Sequence, residues 1–499
     1  MNKAFKAIWS DVRQSFVTTS EIQSSHGKRS KASVSLSVAT VLLATSGLVS
    51  AAYVETGTLG DKASWETAEY NYNWGLGAMN ASSAYALGFY GQNTTTGVMD
   101  SGAWLGNPDL DTPRITATHV TGVYGSSGNR YPQSIYATIQ KGVVPTAAEG
   151  QPFTEGEEFD VKGDYTLGLN DAHGTQVTGV IGAERNGEYG HGVAFKANVV
   201  VGNTGATDNN NYGPFQDYNY YFKGYKALAD AVNAGNGEYR GGMVNNSYGT
   251  NTKIYSSGGH RLTPDEMSEL LAGSGNYDRA SAAYAVTFSG DYSFLGLNDV
   301  PGADQYSTNP SAFEWEYMYF KLKYGDKPSF LDGAYDAVKG TNVILSWAAG
   351  NQDRGTPYLK GLYPYFHPEA EKNWLNAVGV MQTRGDNDQY MQATYCKAGL
   401  AKWWSMSGPT AYPGIGTTYV TTDLENGRLT TTGFNGTSAS DPQISGAFTV
   451  LQSRYPSMTA IQVKDVMYTT ASHIGANGQP FTNWTAAEGT PDVIYGWGM

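Results

Sequence analysis

The 499-residue chain has a single cysteine, Cys396. No intrachain disulfide can form, and a zinc site built on several thiolates is excluded. The fold must stand on packing and hydrogen bonds, with bound ions as the remaining aid. Basic residues are scarce: 32 Lys and Arg face 45 Asp and Glu, for a net charge of −13. That balance argues against nucleic acid as a partner. Charged residues make up only 15% of the chain against 40% hydrophobic, so it is not a disordered polyelectrolyte and can bury a substantial core. After the N-terminal region no stretch is apolar enough to span a bilayer, so stable membrane insertion by this chain is not expected. A repeat of fixed period and EF-hand spacing are both missing. Glycine (62) and tyrosine (36) are abundant, a mix that suits a loop-rich secreted protein.

The N-terminus reads as a targeting segment. Lys28, Arg29 and Lys31 precede the mostly apolar residues 34–49, and small residues follow at Ser50, Ala51 and Ala52. A charged region, an apolar core and a small-residue cleavage site make a signal peptide, with cleavage after Ala51 or Ala52. The run is short and interrupted by Ser and Thr, which disfavours a membrane anchor. An extra section precedes it, beginning Met1-Asn2-Lys3 and carrying Phe5, Ile8, Trp9, Phe16, Val17 and Ile22 among polar residues. This section resembles the extended signal peptide of Gram-negative autotransporters. Losing residues 1–51 removes six basic and two acidic residues and moves the net charge to −17. Such an acidic surface suits solubility outside the cell.

Along the rest of the chain, helical patterns alternate with short apolar runs. Helices are expected at 78–87, 172–183, 220–232, 330–338, 438–455 and 460–471, and strands at 96–102, 194–201, 242–248 and 343–348. Pro442 is expected near the first turn of its helix, where proline is tolerated. The alternation predicts an α/β fold, a mainly parallel sheet flanked by helices. Three long irregular stretches, 107–165, 253–328 and 384–433, are expected to be surface insertions with some structure of their own.

Three local sequences fall at strand or helix ends, where open α/β sheets build sites. They are T-G-V-M-D-S-G at 96–102, D-A-H-G-T-Q-V-T-G at 171–179 and N-G-T-S-A-S-D-P-Q-I-S-G at 435–446. Hydrolysis by a serine needs a nucleophile, a base for its proton and a carboxylate to orient that base. Asp100, His173 and Ser438 supply those groups. A fourth run, S-W-A-A-G-N at 346–351, ends a strand with Asn351, an amide suited to a developing oxyanion. Each has an ordinary reading by itself: a turn for Asp100 and Asn351, a helix cap or core residue for His173, a helix start for Ser438. The order Asp, His, Asn, Ser, each in its strand–turn–helix context, is much harder to obtain by accident.

These residues resemble the subtilisin-like serine proteases. Gly190-His191-Gly192-Val193-Ala194 is similar to the family's segment after the histidine helix. Asn245-Asn246-Ser247-Tyr248-Gly249 is similar to one wall of the primary specificity pocket, and Ala348-Ala349-Gly350 to the other. The resemblance spans about 70–499 and implies a division into an extended signal peptide (1–52) and a peptidase domain (53–499). It implies substrate contacts at Ser247, Tyr248, Gly249, Ala348, Ala349 and Gly350. It also implies a protein or peptide substrate, an endopeptidase working through an acyl-enzyme, and chemistry that needs no cofactor. The peptide would lie as an added strand between segments near 203–207 and 245–249. Asp441 and Gln443 depart from the pattern; Asp441 would either cap the helix dipole or repel an anionic intermediate. The catalytic match starts near Trp74, too soon after the signal for a globular pro-domain. The chain stops at Met499 without a closing helix, stalk or barrel, so a truncated end is expected. Export across the inner membrane follows, to the surface or the exterior, or to the periplasm if a barrel is truly absent.

Weaker candidates remain. Asp208, Asp217, Asp291, Asp299 and Asp304 leave room for structural calcium, against the plainer reading of solvated loop carboxylates. Residues 313–324 (FEWEYMYFKLKY) read as the core of an insertion or as a contact lip. Cys396 reads as structural. Two rivals to a peptidase are a noncatalytic adhesin on a protease fold and an esterase with the same triad.

Overall fold

The computed structural model describes residues 5–10, 15–20, 57–129, 152–164, 172–187, 190–204, 217–248, 328–351, 355–382, 390–392, 395–410, 417–423, 428–475 and 478–499. The chain divides into two compact units, Met1–Val54 and Glu55–Met499. In the first, Phe5–Ser10 pairs antiparallel with Ser15–Ser20.

The second unit is built on an eight-stranded sheet. Its strands are β1 (Thr95–Asp100), β2 (Ile115–Ala117), β3 (Asn198–Asn203), β4 (Met243–Asn246), β5 (Ile344–Ala348), β6 (Trp374–Gln382), β7 (Tyr390–Gln392) and β8 (Ser405–Pro409). They run in the order β7-β6-β5-β4-β1-β3-β2, with β8 paired to β6. Every pair is parallel except β6–β7. Among the described residues, six helices of eight residues or more accompany the sheet: α1 (His173–Gly182), α2 (Tyr218–Asn236), α3 (Phe330–Val338), α4 (Leu359–Phe366), α5 (Thr437–Arg454) and α6 (Ala460–Thr470).

Successive strand side chains point to opposite faces, and here both faces are apolar. Val244 and Leu345 join Tyr225, Leu228, Phe330 and Val338 in the core under α2 and α3. Their neighbours Met243 and Ile344 join Ile444, Phe448, Val463 and Met467 under α5 and α6. Parallel sheets need helices on both faces for this reason. The α/β reading of the sequence is the observed architecture.

Several expectations need correction. The helix expected at 78–87 is two short helices, Trp74–Ala78 and Ala81–Ala86, because Asn80 between them takes a left-handed φ of 57°. The strand expected at 194–201 begins only at Asn198, after a turn in which the Ala197 N–H donates to the Ala194 carbonyl at 2.8 Å. Pro442 lies beyond the first turn of α5, where it withholds the N–H that would reach the Ser438 carbonyl. The stretch 384–433 is not surface insertion throughout, since β8 is a buried strand of the main sheet. Its hydroxyls mask that role in the sequence but are satisfied: Ser405 donates to the Ala401 carbonyl and Ser407 to the Tyr495 carbonyl. Within 107–165, β2 likewise belongs to the main sheet, and His119–Val123 pairs antiparallel with Glu158–Lys162. The stretch 253–328, with residues 313–324, lies outside the described residues except for Pro328.

Candidate active site

Parallel strands deliver their C-terminal ends to one rim of the sheet, and the candidate residues lie there. β1 ends in Asp100, which is wholly buried. Its Oδ1 accepts the Ser101 N–H at 2.8 Å and pairs with His173 Nδ1 at 2.9 Å. A carboxylate only accepts, so this contact assigns the ring proton to Nδ1 and leaves Nε2 as the basic nitrogen of neutral His173. His173 opens α1, and the turn after β1 is tied to that helix start. The Gly174 N–H donates to Ser101 Oγ at 2.9 Å. A Cβ on Gly174 would stand 2.1 Å from the Gly102 carbonyl oxygen, so glycine is required at this approach. The His173 ring meets Phe434 edge-on, with centroids 5.3 Å apart.

Ser438 follows Thr437, the first residue of α5. Gly436, before the helix, has a φ of 84°, and a Cβ there would meet Asn351 Nδ2 at 2.8 Å. Both the backbone and the close approach call for glycine. Asn351 caps α5 from 86 residues upstream: its Oδ1 accepts the Thr437 N–H at 2.8 Å and the Thr437 hydroxyl at 3.0 Å. The Gly350 N–H in turn donates to Thr437 Oγ1 at 3.0 Å. With Oδ1 engaged, Nδ2 is the part of the amide that can donate to a ligand. The Ser438 hydroxyl donates to the Ser247 carbonyl at 2.6 Å. A hydroxyl carries one proton, so in this rotamer it is not shared with His173.

The expected pocket walls are adjacent to these groups. Ser247, Ala348, Ala349 and Gly350 are buried at the ends of β4 and β5. Tyr248 differs: its side chain faces the core, with its hydroxyl 2.7 Å from that of Tyr225 and its ring against Trp347. Gly249 lies outside the described residues. Asp441, left open between two roles, is fully buried beneath the strand ends. Its Oδ2 accepts the Asn246 N–H at 3.2 Å and lies 3.5 Å from Ser247 Oγ, and Oδ1 takes the Ser346 hydroxyl. Burial pushes its carboxyl up to about 7 against these hydrogen bonds, and the charge of Asp100 adds to the rise. Gln443 donates to Asn73 Oδ1 at 2.9 Å.

Residues 91–498 match the subtilase family, peptidase family S8. The chain belongs to that family. Residues 1–50 match the extended signal peptide of type V secretion systems, so this subtilase carries an export signal for the cell surface or the exterior. It is 25% identical over 467 residues to an extracellular serine protease of Serratia marcescens, covering 90% of this chain and 35% of the relative. Serotype-specific antigen 1 of Mannheimia haemolytica is 32% identical over 163 residues, 32% of this chain and 15% of that one. The Neisserial autotransporter lipoprotein NalP of Neisseria meningitidis serogroup B is 22% identical over 173 residues, 32% of this chain and 14% of that one. The subtilase chain thus spans 35% of the length of the Serratia relatives it matches. The solved structure of Sphericase aligns with a TM-score of 0.40 at 14% identity, over 82% of this chain and 91% of that one.

The rim thus brings together Asp100 with His173, Ser438 with Ser247, and Asn351 with the first residue of α5. Sequence reading missed Thr437 as the link between Asn351 and Gly350, Ser346 as a partner of Asp441, and Phe434 as the surface behind His173. Only Thr437 carried a signal, as the threonine of the Gly-Thr-Ser run. The other two contacts join residues far apart in the chain, and no local pattern marks them.

Proposed function

We propose that this chain is an exported serine endopeptidase in which Asp100, His173 and Ser438 form the catalytic triad and residues 53–499 the peptidase domain. The observation that carries the reading is the hydrogen bond from His173 Nδ1 to the buried Asp100 carboxylate. It holds the ring in the tautomer whose Nε2 can act as a base. Catalysis would begin with rotation of Ser438 about χ1, away from the Ser247 carbonyl. His173 then takes the hydroxyl proton as Ser438 Oγ bonds to the peptide carbonyl carbon. The oxygen gains a negative charge that Asn351 Nδ2 and the Ser438 backbone N–H receive. That N–H belongs to the helix start, where no intrahelical acceptor exists and the helix dipole favours an anion. His173 returns its proton to the leaving amine as the C–N bond breaks, and water, activated the same way, releases the acyl group.

Ser247, Ala348, Ala349 and Gly350 would line the pocket for the substrate side chain. Tyr248 would contribute its backbone alone, because its ring belongs to the core. The peptide would lie beside the ends of β3 and β4 as an added strand. Subtilases need no cofactor for this chemistry. The described residues hold no group of three His, Cys, Asp or Glu side chains that would fit an ion. Of the loop aspartates considered for calcium, Asp217 caps α2 through the Tyr220 N–H and accepts the Ser126 hydroxyl. The other four lie outside the described residues. A fluorophosphonate probe tests the reading. Labelling of the wild type at Ser438, with peptide hydrolysis lost in step, is the expected result; an unlabelled protein that still cleaves peptides would overturn it.

A further inference from the structure

We propose that Asp441 is a positioning residue of the hydrolytic site, pinning the end of β4 to the end of β5 so that the Ser247 segment keeps its place as a pocket wall beside Ser438. The inference rests on the reading of Ser438 as the nucleophile. Asp441 lies three residues after Ser438 on α5, and residues so spaced share a helix face. From there one carboxyl reaches both pocket-bearing strands: it accepts the Asn246 N–H of the β4 end and the Ser346 hydroxyl of β5, and its Oδ2 lies 3.5 Å from Ser247 Oγ. The network closes on itself. Ser247 Oγ donates to Asn245 Oδ1 at 2.8 Å, and Asn245 Nδ2 donates to Ser445 Oγ of α5 at 3.1 Å. The carbonyl that accepts from Ser438 is that of Ser247, so its position follows the segment that Asp441 holds.

Burying a carboxyl completely is costly, and a small apolar side chain would fill the same helix position without that cost. What the carboxyl adds is an accepted hydrogen bond from each of two strands, the Asn246 N–H of β4 and the Ser346 hydroxyl of β5. The charged and titratable groups facing it are Asp100 from β1, with His173 bonded to that carboxylate. Tyr225 from α2 and Tyr248 after β4 complete the set, with Lys360 of α4 4.3 Å from the Tyr248 ring centroid. Burial holds both tyrosines neutral, and the Asp100 charge favours the protonated form of Asp441. With the Asp441 carboxyl at about 7, its ionised form, which accepts from both Asn246 and Ser346, gains over neutral pH. Placement of the Ser247 pocket wall beside Ser438 should improve as pH rises through that range, in the same direction as deprotonation of the base.

The experiment measures the second-order rate of fluorophosphonate labelling of Ser438 from pH 5.5 to 8.5, in wild type, Asp441→Asn and Asp441→Ala. In the wild type the logarithm of the rate should climb with a slope above one, from two ionisations. Asp441→Asn, which keeps an acceptor and the shape, should label within a few-fold of wild type at pH 8 but climb with a slope of one. Asp441→Ala should label about 10–100-fold more slowly at pH 8, the scale of a small misplacement of a reacting group. Labelling of Asp441→Ala at the wild-type rate, or an unchanged slope in Asp441→Asn, overturns the inference. If Asp441→Ala does not fold, the slope of Asp441→Asn decides alone. A wild type that does not label at Ser438 overturns the nucleophile reading itself, which sets that failure apart from the failure of Asp441.

Discussion

α3 and α5 are two helices of the same unit whose starts are held in different ways. α3 is self-sufficient. Ser329 accepts the Asp332 N–H, and the Asp332 carboxylate takes the Ser329 N–H at 2.5 Å, a capping box within four residues. α5 has no cap of its own. Gly436 offers no side chain, and the Thr437 N–H is satisfied by Asn351 on a different strand end. α3 buries an apolar face, whereas α5 is buried on nearly all sides and carries Ser440, Asp441, Gln443, Ser445, Thr449 and Gln452 into the interior. The difference teaches that α5, the helix proposed to present the nucleophile, is organised by its surroundings. A cap of its own would occupy the N–H groups that a substrate oxyanion is to use.

The largest effect comes from the one side chain of the α5 start that only chemistry needs. Ser438→Ala should lower turnover on the order of 10⁶-fold, a magnitude borrowed from subtilisin, with circular dichroism unchanged. Peptide hydrolysis surviving in a clean preparation would remove the triad.

Asn351 sharpens the contrast, because it caps the helix and is the proposed oxyanion donor. Asn351→Ala should cut turnover by about 10²–10³, again the value known for the equivalent donor of subtilisin, with substrate binding nearly intact. The melting temperature should fall as well, since losing an N-cap costs about 1 kcal/mol. A drop in melting temperature with unchanged turnover would leave Asn351 as a cap only.

The support beneath α5 can be probed through pH. A Cβ on Gly446 would meet Val193 at 2.5 Å, so α5 rests directly on the segment that follows His191. Burial lowers the His191 imidazole to about 4, despite its hydrogen bond with the Gly192 carbonyl. In the unfolded chain the ring titrates near ~6.5. Between those values the unfolded chain binds the proton that the native state refuses, so stability falls as pH drops from ~6.5 to about 4. The loss should amount to on the order of 3 kcal/mol for this group. Asp441 acts in the opposite sense over much of the same range: its carboxyl is raised, so its contribution to stability declines as pH rises towards 7. Urea unfolding of wild type and His191→Gln at pH 4.5 and 7 separates the two, because Asp441 is common to both proteins. The gap in stability between the two pH values should widen in the wild type relative to His191→Gln; equal gaps would mean that His191 does not refuse the proton.

The smallest effect tests the self-sufficient helix. Ser329→Ala should destabilise by about 1 kcal/mol and leave turnover unchanged, as expected of a local cap with no part in the site. A loss of turnover larger than the loss of folded protein would show that α3 is coupled to the rim after all.

The candidate site was legible to an uneven degree. Asp100, His173, Asn351 and Ser438 could be named because each stands in a short run of small residues and glycine at the end of an apolar strand or the start of a helix. α3 was bounded to the residue because its capping box and apolar period are local. β8 was missed because Ser405 and Ser407 are polar, and only their bonds to the Ala401 and Tyr495 carbonyls make burial tolerable. Tyr248 was read as a pocket residue through the resemblance of the run 245–249 to a pocket wall. Strand alternation turns its ring into the core instead.

The sequence by itself determined the local chemistry: a lone cysteine, an export signal, an α/β alternation, and four side chains of the right type in the right order. Those depend on residue identity and on neighbours within a few positions, which the chain states directly. The tertiary structure alone decided that Asn351 caps α5, that the Ser438 hydroxyl rests on Ser247, and that Asp441 is buried between two strands. The reason is that a hydrogen bond between residues 86 or more positions apart exists only once the sheet has brought strand ends and helix starts to one rim.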